Sequence, residues 1–270
     1  MKIIAFVLAF KEKPYYPLIS LMRQTIKPSK IVIVAAYPSA CVDYFKGVRI
    51  ECLVIRPDTS LSVGERVGIA LTIAFKLFLT EDYDYMLKLD SDIYFDERFI
   101  EENIKAGYDL MGRGAGMIIK VKKFLEIFDH KWPISPLDDA TVVELFRVRG
   151  YKVLPWKWVY PANLVRKPKY DASRAFKIGY EFYRLGFPLL YEILTIHYRI
   201  LQREPIFIFH LIGYLAALFC GEKKYPFSID IKKYYDTILI NSIKLKLINL
   251  TTKLSRSLSS FFNALLSLRH

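Results

Sequence analysis

Cysteine is scarce in this chain: Cys41, Cys52 and Cys220 show neither metal-ligand spacing nor an even-numbered framework. The expectation is therefore reduced thiols in a cytosolic compartment and no structural zinc. Histidine is nearly as rare, with four in the chain, and His130, His197 and His210 stand at no ligand spacing. Long apolar runs are missing too. The best, Ile206 to Cys220, has 15 residues, short of the roughly 20 that a membrane-spanning helix needs. Arg199 and Arg203 precede it and Lys223 and Lys224 follow it, so the charge asymmetry that would orient a span is absent. A shallow hairpin on a membrane surface is the expectation, with a packed helix pair as the alternative. The apolar stretch Ile3 to Phe10 runs straight into Lys11, Glu12 and Lys13 without a small-residue cleavage site, which reads as a first core strand rather than a signal segment. Acidic residues cease after Asp236.

What is present is a core and a positive charge. A hydrophobic content of 53%, with 15% aromatic residues, excludes a disordered chain. A formal net charge of +13 asks for an anionic partner, which could be nucleic acid, a phosphorylated substrate or an anionic membrane surface. No basic patch interleaved with aromatics on a known module occurs, so nucleic acid is set aside.

Hydrophobic patterning predicts strands at Ile3–Phe10, Lys30–Ala35, Val48–Ile55 and Tyr85–Asp90, and helices over Tyr16–Thr25 and Val63–Leu79. This is an α/β rhythm. A Gly-rich segment at Gly112–Gly116 follows, then a helix opening at Asp138-Asp139 and closing at Arg149-Gly150, and a returning strand over Tyr151–Trp156. The expected division is a catalytic domain over 1–165, a helical extension with an apolar hairpin over 166–230, and a basic amphipathic helix over 231–270. In the last segment Ile240, Ile243, Leu247, Leu250, Leu254, Leu258, Phe261, Leu265 and Leu268 recur at helical spacing, with Lys244, Lys253 and Arg256 elsewhere. A cationic helix of this kind suits an anionic membrane surface.

The chemistry concentrates at Asp90-Ser91-Asp92. A buried strand that ends in two carboxylates delivers hard oxygen donors to the edge of a sheet, where open α/β folds place ligands and where Mg²⁺ or Mn²⁺ can be held against a diphosphate. A second acidic pair, Asp138 and Asp139, opens a helix. Either pair alone is as well explained by a turn or a helix first-turn charge. Their occurrence in order in one chain favours chemistry.

The segments LISLMRQTIKPSKIVIV, VGERVGIALTIAFKLF, YMLKLDSDIYFDERFIEENI and DDATVVELFRVRGYKV together resemble the family 2 glycosyltransferases, inverting enzymes of the GT-A fold, over roughly residues 1 to 160. The resemblance implies a mixed α/β sheet with helices on both faces, and a nucleotide-sugar donor. It makes Asp90 and Asp92 the holders of Mg²⁺ or Mn²⁺, Asp139 the base on the acceptor hydroxyl, and Asp138 its neighbour. Asp58 and Arg66 become candidates for contact with the nucleotide, Gly114 and Gly116 for close approach to the acceptor, and Arg166, Lys167 and Lys169 for phosphate. The chain departs from the family at Ala9-Phe10 and at Ala35-Ala36-Tyr37, where a proline, an asparagine and an acidic residue are usual, which bears on the choice of nucleotide. It lacks the Gln/Arg-x-x-Arg-Trp motif of the polymerising members, so transfer of a single sugar is expected. The acceptor would be lipid-linked or a surface glycan, at the cytoplasmic face of the cell membrane. The rival readings are a soluble transferase with packed C-terminal helices and a catalytically silent scaffold on the same fold.

Overall fold

A computed structural model describes residues 1–154, 157–166 and 170–242. The chain divides into two compact units, Met1–Tyr170 and Asp171–His270. In the first unit, strands β1 (Ile3–Ala9), β2 (Lys30–Ala35), β5 (Glu51–Val54) and β6 (Tyr85–Asp90) run parallel. Strand β9 (Gly116–Lys120) is antiparallel to β6 and to β8 (Leu110–Arg113), and β10 (Val153–Leu154) is parallel to β8. The order across the sheet is β10-β8-β9-β6-β1-β2-β5. After β1 the chain moves outward through β2 to β5, then returns to the other side of β1 as β6. That reversal is a topological switch point at the carboxyl ends of β1 and β6, the position where open α/β sheets bind ligands, and Leu8 pairs with Asp90 there.

Strand alternation assigns the layers. Ile3, Ala5 and Val7 face helix α1 (Tyr15–Arg23) and helix α3 (Phe99–Lys105), where Leu18, Leu21, Phe99 and Ile100 are buried with them. Ile4 and Phe6 face the opposite layer of α2 (Val63–Phe78), α4 (Val121–Phe128) and α5 (Asp138–Val148), among Phe75, Phe124, Trp132 and Phe146. Helices thus cover both faces.

Two local readings are corrected. The strand expected over Val48–Ile55 is broken: β3 (Tyr44–Phe45) and β4 (Val48–Arg49) form a hairpin, and β5 starts only at Glu51. The hairpin turns on Lys46 and Gly47, both at positive φ (47° and 79°), as a two-residue loop matched to strand twist requires. That return brings Cys41 and Cys52 together as a disulfide, against the expectation of reduced thiols. Counting could not show it, because Cys220, free and exposed, belongs to the other unit and makes the total odd. Closing so short a loop stabilises by about 3 kcal/mol in the chain-entropy picture.

The described part of the second unit is helical: α6 (Ala172–Leu185), α7 (Leu189–Leu201), α8 (Ile208–Phe219) and a helix over residues 228–242. Helix α6 is capped by the Asp171 side chain, which accepts from Arg174 N at 2.9 Å, and ends at Gly186 in the left-handed region. Gly179 on α6 meets the backbone of His210 and Gly213 on α8 meets that of Phe176, with no room for a Cβ at either. The Ile206–Cys220 run therefore packs one face closely on α6, burying His210, Gly213, Tyr214 and Ala217. Its other face, with Ile208, Phe209, Ile212 and Phe219, is exposed. Glu192 and His210 form a buried pair. No helix among the described residues is long and apolar enough to cross a membrane. Beyond residue 242 the expected amphipathic helix lies outside the described residues, as do Trp156, Lys167 and Lys169.

Candidate active site

The site is assembled at the carboxyl end of β6 by three elements. Asp90 ends the strand, and its N–H donates to Ala115 O at 2.7 Å in the turn between β8 and β9. Gly114, in that turn, has positive φ (56°), and a Cβ there would lie 3.4 Å from Asp139 Oδ2 at the start of α5. One tight turn therefore touches both acidic pairs, and glycine suits it because the backbone is left-handed and the approach is close.

The start of α5 is held in place by two glycines on α2. Helix α2 opens with a reciprocal cap, in which Glu65 N donates to Ser62 Oγ and Ser62 N donates to Glu65 Oε2. Gly64 and Gly68, one turn apart, then allow residues 133–136 to cross the helix, since a Cβ at either would meet carbonyl oxygens of Ser135 and Pro133 at 2.4 Å. Thr72 Oγ1 accepts from Trp132 N at 2.9 Å and ties down the same segment. The chain is thus delivered to Asp138 within a rigid frame.

Inside that frame the two α5 carboxylates are unequal. Asp138 is 8% exposed and accepts from Trp132 Nε1 at 2.7 Å. Burial, with the neighbouring Asp139 charge, raises its pKa to about 7, although Lys88 and the indole bond oppose the shift. Asp139 is only partly buried and lies on the Gly114 side.

Lys88 went unremarked in the sequence. It precedes Asp90 by two residues and so shares its face of β6, turned toward the α2 and α5 layer with Met86. Its side chain is 5% exposed, its ammonium lies 2.8 Å from Asp90 Oδ1, and it donates to Gly114 O. Burial pulls its pKa down, but Asp90, Asp138 and Asp139 outweigh that and hold it above the ordinary lysine value. A lysine between Leu87 and Leu89 in an apolar strand was the signal that could have marked it.

Asp92 lies just beyond the strand. Its carboxyl is pushed up by burial and by the Asp90 charge, with Arg166 and Lys88 pulling the other way. Its carbonyl accepts from Val165 N at 2.9 Å, as β11 (Ala162–Leu164) pairs antiparallel with β7 (Ile93–Phe95). That ribbon brings Arg166 toward the site, where it also meets Glu12 at 3.3 Å. Two crowded carboxylates, one of them reluctant to ionise, form a donor set that a divalent cation would relieve. No group of three potential metal-ligating side chains occurs among the described residues.

Asp58 sits apart as an exposed turn residue, accepting from Ser60 Oγ at 2.7 Å and Ser60 N at 2.9 Å, and these bonds lower its pKa, with a smaller contribution from Arg66. Arg66 lies in the first turn of α2, and Asp58 in the loop that precedes that helix. Gly116 does not open toward a ligand: a Cβ there would strike Ile93 and Trp158. The same indole blocks Gly112, and its buried Nε1 has no hydrogen-bond partner among the described residues.

No protein-family model matches the chain, and no curated protein does. Among solved structures the chain is similar to residues 1–349 of S. aureus TarS, with TM-score 0.45 and 14% identity over 68% of this chain and 64% of that one. It spans 40% of a longer TarS chain. It is also similar to the mannosyltransferase PcManGT from Pyrobaculum calidifontis in complex with GDP-Man and Mn²⁺, with TM-score 0.47 and 12% identity over 91% of this chain and 80% of that one. At these TM-scores the likenesses assign neither a family nor an activity to this chain.

Proposed function

We propose that the chain is a metal-dependent, inverting glycosyltransferase of the GT-A type that moves one sugar from a nucleotide donor to a lipid-linked or glycan acceptor. The observation that carries this reading is the Gly114-Ala115 turn, which binds Asp90 through its backbone and lies against Asp139. Transfer to a hydroxyl needs charge compensation on the leaving diphosphate and a base on the incoming oxygen. A turn that bonds Asp90 and approaches Asp139 supports assigning one carboxylate to each task.

In this reading Asp90 and Asp92 hold Mg²⁺ or Mn²⁺, which when bound supplies the charge that the departing diphosphate needs. Asp139 orients the acceptor hydroxyl and takes its proton. Asp138, buried and bonded to Trp132, keeps Asp139 in register rather than meeting substrate. Arg66 and Asp58 meet the nucleotide in this reading, and Arg166 adds positive charge near Asp92.

In this reading the second unit meets an anionic membrane surface. Leu190, Ile193, Leu194 and Leu201 of α7 and Ile208, Ile212 and Phe219 of α8 are exposed, and five basic but no acidic residues follow residue 242. The close α6–α8 packing suits the alternative, a soluble transferase with packed C-terminal helices. Sedimentation with anionic vesicles in high and low salt separates them. For the reaction, a panel of nucleotide sugars with Mg²⁺ or Mn²⁺ should yield one donor that binds and slowly releases nucleoside diphosphate. A panel with no binder would overturn the reading.

A further inference from the structure

Lys88 has a place in this site that the proposed reaction does not by itself require. An ammonium buried to 5% exposure on a core strand is costly unless its charge is met, and a strand needs no cation there. Its two partners are not general packing. One is Asp90 Oδ1, at 2.8 Å, and the other is Gly114 O, on the turn that reaches Asp139.

We propose that Lys88 is a positioning residue that ties up Oδ1 of Asp90, so that Asp90 offers only Oδ2 to the cation of the donor complex, and that pins the Gly114 turn at the same time. The inference rests on the reading of Asp90 and Asp92 as metal-holding carboxylates. Three further carboxylates lie around this ammonium: Asp138 and Asp139 are close enough to act on it, and Asp92 feels its charge. Lys88 is thus an internal cation that partly neutralises the cluster before any metal arrives. It limits how strongly the site attracts a bare cation, and favours one that comes with a diphosphate.

Substitutions at Lys88 should then shift metal affinity in opposite directions. Lys88→Met keeps most of the volume but frees Oδ1 and adds one uncompensated negative charge, so Mn²⁺ alone should bind about tenfold tighter or more, by the Coulombic gain of a nearby site. Lys88→Arg places a planar fork that can engage both carboxylate oxygens, so Mn²⁺ should bind more weakly than to wild type. A residue that only filled space would weaken binding in both variants or in neither.

The test is a Mn²⁺ titration of the full chain by electron paramagnetic resonance, alone and with excess nucleoside diphosphate, with urea unfolding of each metal-free variant. The expected result is tighter binding in Lys88→Met, weaker in Lys88→Arg, and loss of the Lys88→Met gain when Asp90→Asn is added. In the metal-free unfolding series, Lys88→Met should be less damaging in the Asp90→Asn background than in wild type, because the tie is already gone. Additive unfolding effects, or metal affinities that move together, would overturn the proposal. If Lys88→Met fails to fold, Lys88→Arg and Asp90→Asn still carry the comparison: unchanged Mn²⁺ affinity in Lys88→Arg would be fatal. None of these readouts uses a sugar, so a chain that binds Mn²⁺ as expected yet turns over no nucleotide sugar would refute the proposed function and leave the role of Lys88 standing.

Discussion

Trp132 Nε1 donates to Asp138 Oδ2 at 2.7 Å, and this bond separates the tasks of two adjacent carboxylates. It turns Asp138 into the interior and leaves Asp139 on the side of the Gly114 turn. Sequence alone gives two equivalent aspartates at the start of a helix. The indole makes them different.

The first expectation is a pH dependence of stability. The Asp138 pKa is raised from 3.8 to about 7 by burial and the Asp139 charge, so between those values the folded chain holds a proton that the unfolded chain has lost. Stability from this group is present in full below about pH 4 and is lost as pH rises through about 7, a change on the order of 4 kcal/mol. Urea unfolding of the metal-free protein at pH 4.5 and 8 should show a steeper fall for wild type than for Asp138→Asn. Parallel profiles would mean that Asp138 does not hold the proton.

A second expectation concerns the base. Asp139→Asn should keep donor affinity close to wild type and lower transfer by about 10²- to 10⁴-fold, the range for loss of a general base. A matching loss of donor affinity would place Asp139 in binding or folding instead.

The glycine frame gives a third. Gly68→Ala puts a Cβ 2.4 Å from Pro133 O, a backbone atom with little freedom to move. It should cost about 1 to 3 kcal/mol of stability despite the better helix propensity of alanine, and turnover should fall too, because the same crossing delivers Asp138 and Asp139. Normal stability and turnover would show that the crossing is not what sets the α5 start.

Much of the central sheet was legible because its signals are local. The β6 alternation, the apolar α2 helix and the Asp138 helix start each depend on residues within one element. What was missed depends on contacts between separate elements. The Cys41–Cys52 disulfide needs the Lys46-Gly47 turn to break an apparently continuous strand. Lys88 was passed over because a buried lysine becomes intelligible only when Asp90, Gly114 and the α5 carboxylates surround it. Gly116, expected to face an acceptor, is filled by Trp158, which arrives from a segment more than forty residues later.

The most direct measurement is calorimetric binding of the best nucleotide sugar, with Mn²⁺ and with EDTA, to wild type and to Asp92→Asn. An amide oxygen is a poorer hard ligand than a carboxylate and leaves the bound charge less compensated. Wild type should bind at least tenfold more tightly with Mn²⁺ than with EDTA, whereas Asp92→Asn should bind weakly and almost equally in both. An unchanged response to Mn²⁺ in Asp92→Asn would contradict the assignment of Asp90 and Asp92 to the metal.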